Sequence, residues 1–228
     1  MNVQTLDQKP FSWSYSKLKN FETCPRRYNE VDVTKNFREA ESEALSWGNE
    51  VHKAAELYLT KGTKLPIGMP ALQSWLDKLK EIKYDQILVE QKLAIDKNFS
   101  ACGYYDSNAW FRTKADVIGI KEPVALSLDW KTGKLIDDSQ QLALLASCCF
   151  AHLPQIHKLR TEFIWLKEGP NVSSRKDFDR KDMVSVWRGI WPRIEALELA
   201  YNTKNYPPRP GALCRRWCPV SSCEYHGH

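Results

Sequence analysis

The chain has 228 residues, 43% hydrophobic and 27% charged, with a formal net charge of +5. That composition suits a globular protein with a real core and excludes a collagenous, low-complexity or largely disordered chain. The absence of a basic-then-apolar leader, of any apolar run long enough to span a bilayer, and of an even cysteine count leads us to expect a cytoplasmic protein without a disulfide framework or a membrane partner. The mild basicity permits nucleic-acid binding without demanding it.

Residues 1–11 are polar and read as a mobile lead-in. Ser14 is placed to cap a first helix, with Tyr15, Leu18 and Phe21 on one face, and Pro25 ends it and opens a second. A long helix follows over Glu41–Thr60, with Gly48, His52, Ala55 and Leu59 aligned. Glycine weakens a helix interior, so Gly48 implies close packing. A histidine on such a face is, taken alone, more often a satisfied core residue than a ligand. Ala71–Lys80 reads as a short helix with Leu72, Trp75, Leu76 and Leu79 inward.

Gln86–Asp96 alternates as a strand, with Ile87, Val89, Leu93 and Ile95 on one side and Leu88, Glu90 and Lys92 on the other. Glu90 reads equally as a third acidic group of a site and as a solvated edge charge. Residues 97–108 form a polar loop. Trp110–Ile120 and Pro123–Lys131 then make a hairpin about Lys121-Glu122-Pro123. Side chains alternate along a strand, so Asp129 and Lys131 share a face, and hairpin pairing can bring Asp116 beside them. Two carboxylates and an ammonium at one spot suit a hard divalent cation and metal-assisted phosphodiester hydrolysis. A solvated surface hairpin is the plainer alternative.

Asp138 or Ser139 can cap a helix reaching about His152, with Gln140 and Gln141 in its first turn. Gln141 reads as a surface residue or as one at a cleft mouth. Lys158–Lys167 is a strand, 168–178 a loop or edge hairpin, and Asp182–Tyr201 a helix that Pro192 kinks one turn earlier. The Pro-rich Asn205–Gly211 leads into Cys214, Cys218 and Cys223. Three cysteines so close together point to a metal site, and Cys24, with its own proline and arginines, is the best fourth ligand. Thiolates serve zinc and iron–sulfur clusters alike, and His226 and His228 are further zinc-type ligands, so the spacing leaves the metal open.

Together these pieces resemble the RecB-like iron–sulfur branch of the PD-(D/E)XK nucleases, which includes the AddB nuclease domain and CRISPR-associated adaptation exonucleases. The resemblance rests on Ser14–Tyr28, Gly48-Asn-Glu-Val-His52, Ala115-Asp116-Val-Ile-Gly119, Asp129-Trp-Lys131, Gln141-Leu-Ala-Leu-Leu145 and the closing cysteines. It implies an α/β fold in which a central mixed β-sheet is flanked by helices and the N- and C-terminal segments are joined by an iron–sulfur cluster. It implies a single nuclease domain over 1–228, with a core over about 41–203 and cluster-binding segments over about 12–30 and 205–228. His52, Asp116, Asp129 and the Trp130 carbonyl become ligands of Mg²⁺ or Mn²⁺, with Glu90 a further candidate. Lys131 becomes the catalytic lysine and Gln141 an orienting residue. Cys24, Cys214, Cys218 and Cys223 become ligands of a [4Fe–4S] cluster.

The implied activity is a metal-dependent deoxyribonuclease, an exonuclease preferring single-stranded or free-ended DNA, in recombination, repair or processing with a recombination partner. Arg26, Arg27, Arg215 and Arg216 are the candidate phosphate contacts. Two departures stand out: Leu145 replaces the tyrosine of the family's Gln-x-x-x-Tyr motif, and the last three cysteines are spaced four and five apart rather than three and six. A non-catalytic nucleic-acid-binding protein and a zinc-stapled adaptor are the competing readings.

Overall fold

A computed structural model describes residues 9–136 and 138–228. Its centre is a six-stranded mixed sheet in the order β2-β1-β3-β4-β5-β6. The strands are β1 (Gln86–Ile95), β2 (Ala101–Cys102), β3 (Phe111–Lys121), β4 (Val124–Lys131), β5 (Lys158–Trp165) and β6 (Ser173–Asp179). β3 and β4 pair antiparallel, β4 and β5 parallel, and β5 and β6 antiparallel. A parallel pair needs a long crossover, and helix α5 (Ser139–His152) supplies it.

The chain divides into two compact units. One takes the described residues through Ala40 together with Ala94–Arg112 and Ile190–His228; the other takes Glu41–Leu93 and Thr113–Gly189. In the second unit, α3 (Glu43–Lys61) and α4 (Pro70–Glu81) bury an apolar stripe against the sheet. Val51, Ala55, Leu72, Leu76 and Leu79 meet Val117, Leu128, Trp130 and Ile164. Those strand residues alternate with Asp116, Asp129 and Lys131, which is why an apolar floor and a polar site coexist on adjacent positions. The Ser42 side chain accepts from Leu45 N–H and starts α3, and Gly62, in the left-handed conformation, ends it. Arg180 ties β6 to the end of α5, donating to the carbonyls of Phe150, Leu153 and Ile156.

In the first unit, α1 (Tyr15–Thr23) is capped by Ser14, and Pro25 opens α2 (Pro25–Tyr28). A π-helical turn over Asn29–Val33 follows, which the periodicity does not announce. Trp13 pairs by backbone with Trp110 and Arg112 and stacks on Phe111 at 4.4 Å. The Arg193 guanidinium of α6 (Met183–Thr203) grips the Glu22 carboxylate of α1 with both nitrogens of its fork.

Three local expectations change. The expectation of a mobile lead-in falls, over 1–8, outside the described residues; residues 9–11 are held, with Lys9 C=O accepting from the Tyr201 hydroxyl at 2.7 Å and Phe11 buried against that ring. The regular alternation of β1 fails: Ile87 is exposed, whereas Leu93, Ala94 and Ile95 are all buried. The reason is Glu90, whose φ of +51° breaks the pleat in mid-strand. The expected polar loop after β1 contains the short strand β2, paired with the end of β1. Pro192 lies within α6, on its exposed side.

Candidate active site

The site belongs to the second unit and is assembled from α3, β1, β3 and β4. The antiparallel register pairs Val117 with Leu128, so the next step sets Asp116 opposite Asp129. There the ladder gives way to a side chain: Asp116 Oδ2 accepts from the buried Trp130 N–H at 2.7 Å. The hydrogen bond holds the Asp116 carboxylate in place and satisfies a donor that would otherwise be orphaned. Its other oxygen, Oδ1, lies 3.1 Å from His52 Nδ1. Glu90 Oε1 lies 4.0 Å from the same nitrogen. One ligand atom each from His52, Glu90 and Asp116 fall within 4.8 Å of one another.

Neighbouring ligands of one octahedral ion, each at about 2.1 Å, lie about 3 Å apart. The separation of His52 Nδ1 and Asp116 Oδ1 matches that, and two carboxylates with one imidazole suit Mg²⁺ or Mn²⁺.

Asp129 and Lys131 share the strand face expected of them. Lys131 Nζ sits 2.9 Å from Asp129 Oδ1 and 4.4 Å above the Phe163 ring. Asp116 and Asp129 are 7% and 8% exposed, so water screens their charges poorly. Burial lifts the Asp129 carboxyl to about 6, with Lys131 opposing and Asp116 adding to the rise. Burial also raises Glu90, and the Asp116 charge adds to it. Burial pulls the His52 imidazole down, but the hydrogen bond and charge of Asp116, with Asp129 and Glu90, outweigh it and leave the group raised. The Asp116 charge thus works against ionisation of both Glu90 and Asp129, a crowding that a dication would relieve.

Gly48 earns its place beside this site. A Cβ there would come within 3.1 Å of the Thr132 hydroxyl, just beyond Lys131, so glycine lets α3 approach the end of β4. Gln141 stands half-buried in the first turn of α5, its N–H donating to Asp138 C=O. Leu145, in the place of the family's tyrosine, is buried core. No local sequence signal marks Phe163, because only the parallel β4–β5 register sets it beside Asp129. Glu90 was marked for its charge, but the backbone turn that aims it at His52 had no signal, since glutamate rarely adopts positive φ.

In the first unit, Cys24, Cys214, Cys218 and Cys223 all line one pocket. Arg209 N–H donates to Cys24 Sγ at 3.4 Å. Burial raises the Cys218 thiol, and the neighbouring Cys214 and Cys24 add to the rise while Arg27 opposes. The four thiols line the same pocket, without the mutual approach within 4.8 Å found for His52, Glu90 and Asp116. Cys148 and Cys149 are buried in α5, and burial pushes the Cys149 thiol to about 12, which fits an inert core residue. Arg26 lies 3.6 Å from the Glu30 carboxylate, and Arg27 pairs with Glu39 and Asn20. Arg215 and Arg216 are exposed.

Residues 12–119 match the family model described as the PD-(D/E)XK nuclease superfamily. Two solved structures align with the chain. One, from Eubacterium rectale and described as a "putative exonuclease", is 12% identical, with a TM-score of 0.50 over 100% of this chain and 94% of the other. The protein SSO0001 is 15% identical, with a TM-score of 0.39 over 94% of this chain and 87% of the other. No curated protein matches at a significant level. The family match covers 108 of the 228 residues, and the His52–Glu90–Asp116 cluster is a group that could hold a metal ion. No helix of the described residues is long and apolar enough to cross a membrane.

Proposed function

We propose that the protein is a Mg²⁺- or Mn²⁺-dependent deoxyribonuclease of the RecB-like branch that degrades DNA from free ends and prefers single strands. The observation that carries this is the pair of adjacent arrangements in one unit: His52, Glu90 and Asp116 converging on one point, and Lys131 held by Asp129 on the neighbouring strand.

In this reading Asp116, Asp129 and His52 hold the metal, with the Trp130 carbonyl and Glu90 as further ligands. When bound, the ion supplies a water of lowered pKa and positive charge for the scissile phosphate. The chain's own groups do the rest. The Trp130 N–H keeps the Asp116 carboxylate oriented. Asp129 and the Phe163 face hold the Lys131 ammonium, which donates to a phosphate oxygen or to the attacking water and stabilises charge as the bond to phosphorus forms. Gln141 orients the nucleic acid at the cleft mouth.

Cys24, Cys214, Cys218 and Cys223 would hold a [4Fe–4S] cluster, and their role is to tie segments 190 positions apart (214 − 24 = 190). Closing so long a loop stabilises chiefly by restricting the unfolded chain. The free-end preference and the setting in DNA recombination or repair rest on the resemblance stated above. A cytoplasmic location and a recombination partner belong to the same reading.

The test is cleavage of single- and double-stranded, linear and circular DNA in Mg²⁺, Mn²⁺ or EDTA. The expected result is metal-dependent loss of linear single strands, slower loss of duplex, and resistance of circular single strands. Cleavage in EDTA, or no cleavage of any substrate by protein with its metal sites filled, overturns the reading. Circular single strands cut at the linear rate would replace the exonuclease with an endonuclease.

A further inference from the structure

Exposed tryptophan is uncommon, because its large ring gains more from burial than any other side chain. Trp217 is 74% exposed, and Leu213 and Tyr225 on the same C-terminal segment are 39% and 38% exposed. The segment is not loose. Trp217 and Cys218 both donate their N–H to Leu213 C=O at 2.9 Å, Gly227 N–H donates to Cys214 C=O at 2.8 Å, and Val220 is buried to 1%. The backbone therefore presents the indole outward from an ordered turn. Arg215 and Arg216, both exposed, precede it directly in the chain. From Arg209 to Cys223 the segment carries three arginines and no acidic residue.

An apolar protein partner would be met by an apolar patch with mixed charge at its rim. An exposed ring that follows two exposed arginines has a different complement: an aromatic face to stack on and phosphates for the guanidinium groups to meet. Single-stranded nucleic acid supplies both, since stacking tolerates every base and arginine can serve the backbone or the ring. Duplex DNA keeps its base faces stacked inside and offers the ring nothing.

We infer that Trp217, with Arg215 and Arg216, is a single-strand binding platform in the unit that carries the thiol pocket, separate from the residues of the metal site. The inference rests on the nuclease reading and deepens it. It assigns base stacking to Trp217 and phosphate contact to the two arginines, and it makes single strands the preferred ligand through a contact outside the catalytic residues.

The test uses full-length protein with its thiol site loaded, in EDTA so that no cleavage occurs. Binding is read by fluorescence anisotropy with labelled oligothymidylate and with an abasic oligonucleotide of the same length. Trp217→Ala should weaken oligothymidylate binding by at least about fivefold, the value of one modest base stack, and leave abasic binding unchanged. Arg215→Ser/Arg216→Ser should weaken both ligands and reduce the salt dependence of binding. Iron or zinc content and melting temperature, measured alongside, check that each variant is folded and loaded. If one is not, Trp217→Phe, which keeps a ring, should bind oligothymidylate better than Trp217→Leu, which keeps only bulk. Equal loss on both ligands in Trp217→Ala, or wild-type affinity for oligothymidylate, overturns the platform. Wild-type protein that binds neither ligand in EDTA also overturns the platform, whereas absence of metal-dependent cleavage overturns the nuclease reading, so the two failures are distinguishable.

Discussion

Asp116 does two jobs that mutation can separate. Its Oδ2 satisfies the buried Trp130 N–H, and its Oδ1 faces His52 Nδ1 and the candidate metal position. Asp116→Asn keeps a carbonyl oxygen for Trp130 and places an amide donor toward the imidazole, so the hydrogen bonds survive while the charge is lost. Asp116→Ala loses both. Each substitution relieves the crowding of negative charge with Glu90 and Asp129, so the difference between the two variants reports the lost hydrogen bonds, of which the one to the buried Trp130 N–H is the one water cannot replace. Leaving a buried donor unsatisfied costs about 1–3 kcal/mol. For a chain of this length that corresponds to a melting temperature about 2–12 °C lower in Asp116→Ala than in Asp116→Asn. The comparison is made by thermal and urea unfolding in EDTA, where no ion can stabilise the native state by binding. Mn²⁺ titration calorimetry on the same proteins should show at least about a tenfold loss of affinity in both. Equal stability of the two variants would show that the Asp116 side chain is not what satisfies Trp130. Wild-type Mn²⁺ affinity in Asp116→Asn would remove Asp116 from the metal site.

Lys131→Met keeps a long side chain over Phe163 while removing the ammonium, and should abolish turnover while leaving Mn²⁺ binding in place; near-normal cleavage refutes the lysine's role. His52→Ala should lose more activity in Mg²⁺ than in Mn²⁺, because a hard oxygen-seeking ion tolerates a missing ligand less well than one that accepts imidazole; equal activity in both metals at the wild-type level returns His52 to a packing role. Cys218→Ser should lose the bound metal and the brown colour expected of anaerobically purified protein, and stoichiometric zinc without iron in the wild type would show a zinc site instead. Gly119→Ala tests the fold alone: its Cβ would lie 2.5 Å from the Tyr84 ring, and such overpacking should lower stability by about 1–3 kcal/mol in urea unfolding, less when Tyr84 is also truncated.

Much of the site was legible before any coordinates. Strand alternation alone placed Asp129 and Lys131 on one face, and the hairpin about Pro123 was enough to bring Asp116 to them. These are local rules with a period of two, and a short turn leaves them little freedom. The glycine in mid-helix announced a close approach, and the structure supplies its partner, Thr132.

Other features depended on contacts distant in sequence. The helical period put His52 on a face but could not say what that face meets; only the packing of α3 against the sheet brings Nδ1 to 3.1 Å from Asp116. Glu90 looked like any charge on an alternating strand, and the left-handed residue that redirects it is a local exception sustained by its surroundings. Phe163 reaches the site through a parallel pairing whose register depends on a crossover helix. The cysteines divide the same way: their density near the C-terminus was visible as spelling, whereas the pocket shared with Cys24 exists because the fold returns the chain to where it began. Local chemistry and periodicity are written in short stretches of sequence, but the meeting of distant stretches is decided by the burial of the whole core.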